Sequence, residues 1–257
     1  MKLNKNKIIA VIAIIFLICL FFFIRSMGSY YSVSDRVSKV KNNSNKNSDY
    51  NVVGWVKVQG TNIDYPVIYT VNPNFDFDNV QMDFTWKIVN SKSLNTRTVI
   101  LGHNVRNVSS KPLINEKTFN NFENLPSFLY YDFVKENKYI QYSDSNNNYL
   151  FKIYAVYMIK SEYVVNKEYM TKKQVLNYAK EAKKNSYYDF DVDIDSNDKL
   201  ITLTTCTRFF GMNYVSIVVD GRLVREGEKI KNYKVKENKN YDSIKKILEG
   251  DEDNDKA

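Results

Sequence analysis

A chain of 257 residues, 44% hydrophobic and 14% aromatic with only 8 Gly and 4 Pro, is neither disordered nor fibrous, and leaves about 200 residues for one domain once its ends are set aside. A formal charge of +8 fits a nucleic acid, an anionic membrane or an anionic polymer. Lys is spread among Asn with no Arg-rich helix or RNP-like aromatic run, so no nucleic-acid partner is expected and the basic surface reads as solvated.

In chain order, residues 1–7 carry Lys2, Lys5 and Lys7, and residues 8–24 form an uninterrupted apolar run closed by Arg25. Those 17 residues suit a transmembrane anchor at the short end of the usual length, with residues 1–7 cytoplasmic and the remainder extracellular. A cleavable signal is the competing reading, with Ser26-Met27-Gly28 as a poor cleavage site. Between residues 29 and 41, Tyr30, Val33, Val37 and Val40 recur at helical spacing. Residues 42–49 lack any apolar side chain, so residues 25–49 read as a helix and polar linker.

The body, residues 50–228, is mainly β. Strand-type runs fall at 52–58, 63–69, 98–101, 128–133, 138–142, 149–159, 199–205 and 214–224, which predicts a closed barrel or a sandwich. Gln59-Gly60-Thr61-Asn62 and residues 143–148 read as hairpin turns. Thr171 with Gln174 forms a capping-box pattern followed by Val175, Leu176, Ala179 and Ala182, which predicts a helix; a weaker one is expected at 116–122. Residues 229–257 are charge-dense and are expected to be a tail with a short helix around 241–248. There is no glycine-rich phosphate loop, CxxC pair or HExxH, and neither metal nor cofactor is expected.

Cys19 lies in the apolar run, which leaves Cys206 as the solitary thiol of the body. A solitary cysteine is more often a small buried hydrophobe than a nucleophile. Cys206 nevertheless ends the alternating run Leu200-Ile201-Thr202-Leu203-Thr204-Thr205, and His103, the one histidine, follows the strand-like Thr98-Val99-Ile100-Leu101-Gly102. A Cys and a His at two strand ends, 103 residues apart, meet only through the fold, as a Cys/His pair requires.

Leu203-Thr204-Thr205-Cys206 resembles the TLxTC strand of sortases, and Gly102-His103-Asn104 resembles their histidine stretch. Val53-Gly54-Trp55-Val56-Lys57-Val58, Gly60 to Val67 and the capped helix resemble class B members. The resemblance implies an eight-stranded β-barrel with peripheral helices, anchored in the cytoplasmic membrane of a Gram-positive bacterium. It implies cleavage of the C-terminal sorting signal of a secreted protein after Thr, and transfer of the acyl group through a Cys206 thioester to a peptidoglycan amine. One position departs. Sortases begin the strand after the cysteine with an arginine, and Ser216 stands in that place. Arg208, two residues past Cys206, is the candidate substitute and is equally well an ordinary solvated arginine; Arg222 lies at the far end of the strand. An inactive sortase-like module tethered to the membrane and a cysteine peptidase that only hydrolyses stay open as alternatives.

Overall fold

The computed structural model describes residues 51–69, 80–82, 94–104, 107, 111–114, 118–160, 170–209, 215–230 and 232–249, with single helical positions at 14 and 38. The apolar run 8–24, the helix expected at 29–41 and the linker 42–49 otherwise lie outside them. Among the described residues no helix is long and apolar enough to cross a membrane.

Eight strands close a barrel: β1 (Asn51–Val58), β2 (Asp64–Tyr69), β3 (Val80–Met82), β4 (Arg97–Leu101), β5 (Tyr139–Ser143), β6 (Asn148–Lys160), β8 (Leu200–Thr207) and β9 (Val215–Leu223). Their order around it is β1-β2-β3-β4-β8-β9-β6-β5, with β5 pairing back to β1. Two hairpins form as the turn residues predict. Gly60 sits at φ +75°, where a side chain would be strained, and Val58 N–H reaches the Ile63 carbonyl at 3.0 Å. In the second, the Asp144 carboxylate accepts from the N–H groups of Asn146 and Asn147, both at 2.7 Å.

Three expectations are corrected. Residues 128–133 are not a strand: a 3-10 helix (Leu125–Leu129) with Pro in its first turn leads into α1 (Tyr131–Glu136). Their aromatic content favours strands, but Pro126 opens a helical turn and all of Leu125–Leu129 is buried against the core. The described part of the expected helix 116–122 is a turn, with Asn121 in the left-handed region at φ 45°. The supposed tail contains the short helix expected around 241–248, but it is folded onto the body through residue 249. There β10 (Val235–Glu237) pairs with β7 (Tyr188–Phe190), and α3 (Asp242–Glu249) buries Ile244 and Leu248. Its high charge hides Tyr241, Ile244 and Leu248, spaced three and four apart on one face.

The capped helix is α2 (Lys172–Asn185): Thr171 N–H donates to Gln174 Oε1 at 2.9 Å and Gln174 N–H donates back to Thr171 Oγ1. Such a cap contributes on the order of 1 kcal/mol. Val175, Ala179 and Ala182 face inward, whereas Leu176 faces solvent. At the other end, the side-chain amides of Asn238 and Asn240 donate to the carbonyls of Ser186 and Lys184, which have no partner within the helix. The C-terminal segment therefore finishes the helix that precedes it by some 50 residues in the chain.

Helix α2 is fixed to the barrel wall by a buried polar cluster. Asp220 of β9 accepts from the hydroxyls of Tyr157 at 3.0 Å, Tyr178 at 2.8 Å and Thr202 at 2.5 Å. Arg97 of β4 donates to Thr202 Oγ1 at 2.9 Å and lies over the Tyr178 ring. Burial pushes the Asp220 carboxyl above its usual range, while the nearby Arg97 guanidinium pulls it down. The same outer face of β8 carries Thr202, Thr204 and Cys206, so the cluster holds the strand on which the thiol sits.

Candidate active site

β8 carries Leu200-Ile201-Thr202-Leu203-Thr204-Thr205-Cys206-Thr207, a β-rich sequence buried at every position except Cys206. Its hydroxyls are satisfied inside the sheet: Thr204 Oγ1 donates to the Ile217 carbonyl at 2.9 Å and Thr205 Oγ1 to the Gly102 carbonyl at 2.6 Å. A packing role would bury this thiol, which instead is exposed at the end of an otherwise buried strand.

β4 runs parallel to β8, with Leu101 opposite Thr204. Two positions further on, His103 is level with Cys206, and neighbouring strands lie about 4.8 Å apart. Gly102 precedes the histidine for a steric reason: a Cβ there would stand 2.4 Å from the Phe122 ring. The Gly102 N–H donates to the Thr204 carbonyl at 3.2 Å, and the His103 carbonyl accepts from Phe122 N–H at 3.0 Å. Asn104 donates from its side chain to the Cys206 carbonyl at 3.2 Å. The register thus places at one end of the sheet two residues that lie 103 apart in the sequence.

Ser216 of β9 is the cross-strand partner of Cys206, so the position expected to carry arginine lies directly beside the thiol. Exposure alternates past the strand's end: Cys206 exposed, Thr207 buried, Arg208 exposed, Phe209 buried. Arg208 therefore continues the face that Cys206 presents, about 7 Å along the chain. Phe209 N–H turns back to Thr207 Oγ1 at 3.3 Å.

Arg222 is not brought to the site. It pairs across the sheet with Leu200, at the opposite end of β8, and is 1% exposed. There its guanidinium binds Glu228, which also takes Lys152 at 2.5 Å. The Arg222 guanidinium, with Lys152 beside it, holds the Glu228 carboxyl well below the usual carboxylate range. A cavity of about 590 Å³ lined by Ile194, Lys199, Leu223 and Arg225 opens at that same far end, away from Cys206.

The family model described as Sortase domain matches residues 56–224, from β1 to just past β9. This chain belongs to the sortase family. Sortase B of Staphylococcus aureus (strain NCTC 8325 / PS 47) is 24% identical over 186 residues, covering 68% of this sortase and 70% of that protein. The crystal structure of Clostridium perfringens sortase B superposes with a TM-score of 0.59 at 25% identity, covering 72% of this chain and 99% of the other. Staphylococcus aureus sortase B in a substrate complex shares the fold at a TM-score of 0.56 and 20% identity, over 74% of this chain and 84% of that one. This sortase is class B-like, in a family of cysteine transpeptidases. The family model stops at residue 224, so β10 and α3 fall outside it.

Sequence reasoning placed Cys206 and His103 at strand ends but gave no part to Thr205 and Asn104. Both stood in the recognised motifs. Their roles are hydrogen bonds across a parallel pair, which no spacing along one segment displays.

Proposed function

We propose that this sortase cleaves the C-terminal sorting signal of a secreted protein after Thr and joins the new acyl end to an amine of peptidoglycan. The observation that carries it is the exposed Cys206 thiol level with His103 at the shared end of β8 and β4. The Cys206 thiolate attacks the scissile carbonyl carbon; the C–N bond breaks, and His103 protonates the departing amine. The acceptor amine then attacks the thioester carbonyl, His103 takes its proton, and the Cys206 thiolate leaves. Dividing the reaction in two lets an amine, rather than water, receive the acyl group. Incubation with a sorting-signal peptide, with and without an amine acceptor, tests this through the acyl-enzyme and the transfer product.

Arg208 supplies the guanidinium that binds the substrate carbonyl and its developing oxyanion in this reading, because it shares the Cys206 face. Removing one such donor costs about 10² to 10³ in rate, so Arg208→Ala is expected to lose that much turnover. Arg208→Lys recovers little, since an ammonium does not reproduce the planar fork. Ser216→Arg partly rescues Arg208→Ala, because position 216 pairs with Cys206 across the sheet. Near-normal kcat in Arg208→Ala contradicts the assignment.

A second reading has one observation in its favour. Ser216 stands beside the thiol where the family carries arginine, which fits a module that binds sorting signals or wall polymer without turnover. Absence of any acyl-enzyme in the incubation supports it, and hydrolysis without transfer supports a peptidase.

The apolar run 8–24 is proposed to anchor the chain in the cytoplasmic membrane, with Lys2, Lys5 and Lys7 inside and the barrel outside. Protease added to intact protoplasts is expected to remove the barrel. Full protection of the barrel contradicts this orientation.

A further inference from the structure

The histidine loop is tied to the nucleophile strand by side chains where the backbone ladder stops. β4 ends at Leu101, yet the next three residues are all held. Gly102 exchanges bonds with Thr204 and Thr205, His103 accepts from Phe122 N–H, and Asn104 reaches Cys206. In a parallel pair, carbonyls of one strand accept from every second residue of its neighbour. The rung after Gly102 N–H to Thr204 is therefore residue 104 to Cys206. Asn104 fills it with its side-chain amide, 3.2 Å from the Cys206 carbonyl.

We propose that Asn104 is a positioning residue for the Cys206–His103 pair, its side-chain amide bonding the Cys206 carbonyl so that the histidine loop stays level with the thiol. This rests on the sortase reading of the site. The bond bears on the nucleophile's own residue, and it acts from the residue next to the histidine, so its loss loosens the register between the two. General stability is a poor account of the same side chain. Asn104 Oδ1 is buried with no hydrogen-bond partner among the described residues, a cost that an apolar residue would avoid.

Three variants separate positioning from mere support. Asn104→Ala removes the donor, Asn104→Asp keeps the shape but presents an acceptor to the Cys206 carbonyl, and Asn104→Gln keeps a donor on a longer arm. The chain is assayed with a sorting-signal peptide and an amine, and in parallel its Cys206 is alkylated with iodoacetamide across pH. Ala and Asp are expected to lower kcat about tenfold to a hundredfold with KM little changed, since misplaced reacting groups lose rate rather than binding. Gln recovers most of that loss. The alkylation profile of Asn104→Ala moves toward that of His103→Ala, whereas a structural role lowers the melting temperature and leaves the profile at its wild-type position. If Ala fails to fold, the isosteric Asp variant carries the comparison. A kcat within about twofold of wild type together with an unshifted profile overturns the proposal. If wild type forms no acyl-enzyme, the transpeptidase reading fails, while the alkylation profile still decides the part played by Asn104.

Discussion

Cys206→Ala is expected to abolish both the acyl-enzyme and the transfer product while leaving the barrel intact. The thiol is exposed at the end of a strand whose other positions are all buried, so replacing it with a methyl group removes little packing. Substitutions of that kind usually change stability by less than about 0.5 kcal/mol, and the melting temperature should stay near wild type. Catalysis has no such reserve. Cys19, the only other cysteine, lies in the apolar run 8–24 and offers no second nucleophile within the barrel. Intact-mass analysis after incubation with a sorting-signal peptide should show an adduct on wild type and none on the variant. Transfer product from Cys206→Ala at the wild-type rate would remove the basis of the account.

His103→Ala is expected to lower turnover by about 10² to 10⁴, the usual contribution of a positioned acid and base. The bonds made by Gly102, by Asn104 and by the backbone of residue 103 do not involve the ring, so the substitution keeps them. Cys206 should still react with a small alkylating agent, because the thiol's exposure does not depend on the imidazole. A variant that labels but does not turn over separates nucleophile from proton carrier. Unchanged kcat would make the histidine incidental.

Much of the barrel was legible because its signals are local. β8 and β9 are long runs of β-branched and apolar residues, and the turns at Gly60 and Asp144 carry residues that only a few turn geometries use. α2 announced itself through Thr171 and Gln174. Elsewhere tertiary context decided. β3 is three residues long and exists because β2 and β4 flank it, so no window along the chain could reveal it. Residues 128–133 were misread because Phe128, Tyr130, Tyr131 and Phe133 have strand preference, whereas Pro126 opens a helical turn whose residues Leu125–Leu129 are all buried. The C-terminal segment looked like a tail because Lys and Glu surround the few side chains that enter the core. Those side chains, Tyr233, Val235, Tyr241, Ile244 and Leu248, suffice to fold it back against β7 and α2.

At the site itself, the Cys206 and His103 pairing was readable as two strand ends in family motifs, and their level placement followed only from the parallel register of β4 and β8. The arginine question has a similar form. The family resemblance put Ser216 in the arginine place, and the register made that place the direct neighbour of Cys206. Arg222 was eliminated by the same register, since it lies opposite Leu200 and is engaged with Glu228.

The most direct test of the transpeptidase account is an incubation of the chain with a peptide bearing a C-terminal sorting signal, with and without an amine acceptor. Mass spectrometry then follows Cys206 and the peptide products. The account predicts a thioester on Cys206 that builds up without acceptor and is converted to an amide-linked transfer product when the amine is added. Absence of any adduct on Cys206, with the peptide recovered uncut, would contradict it.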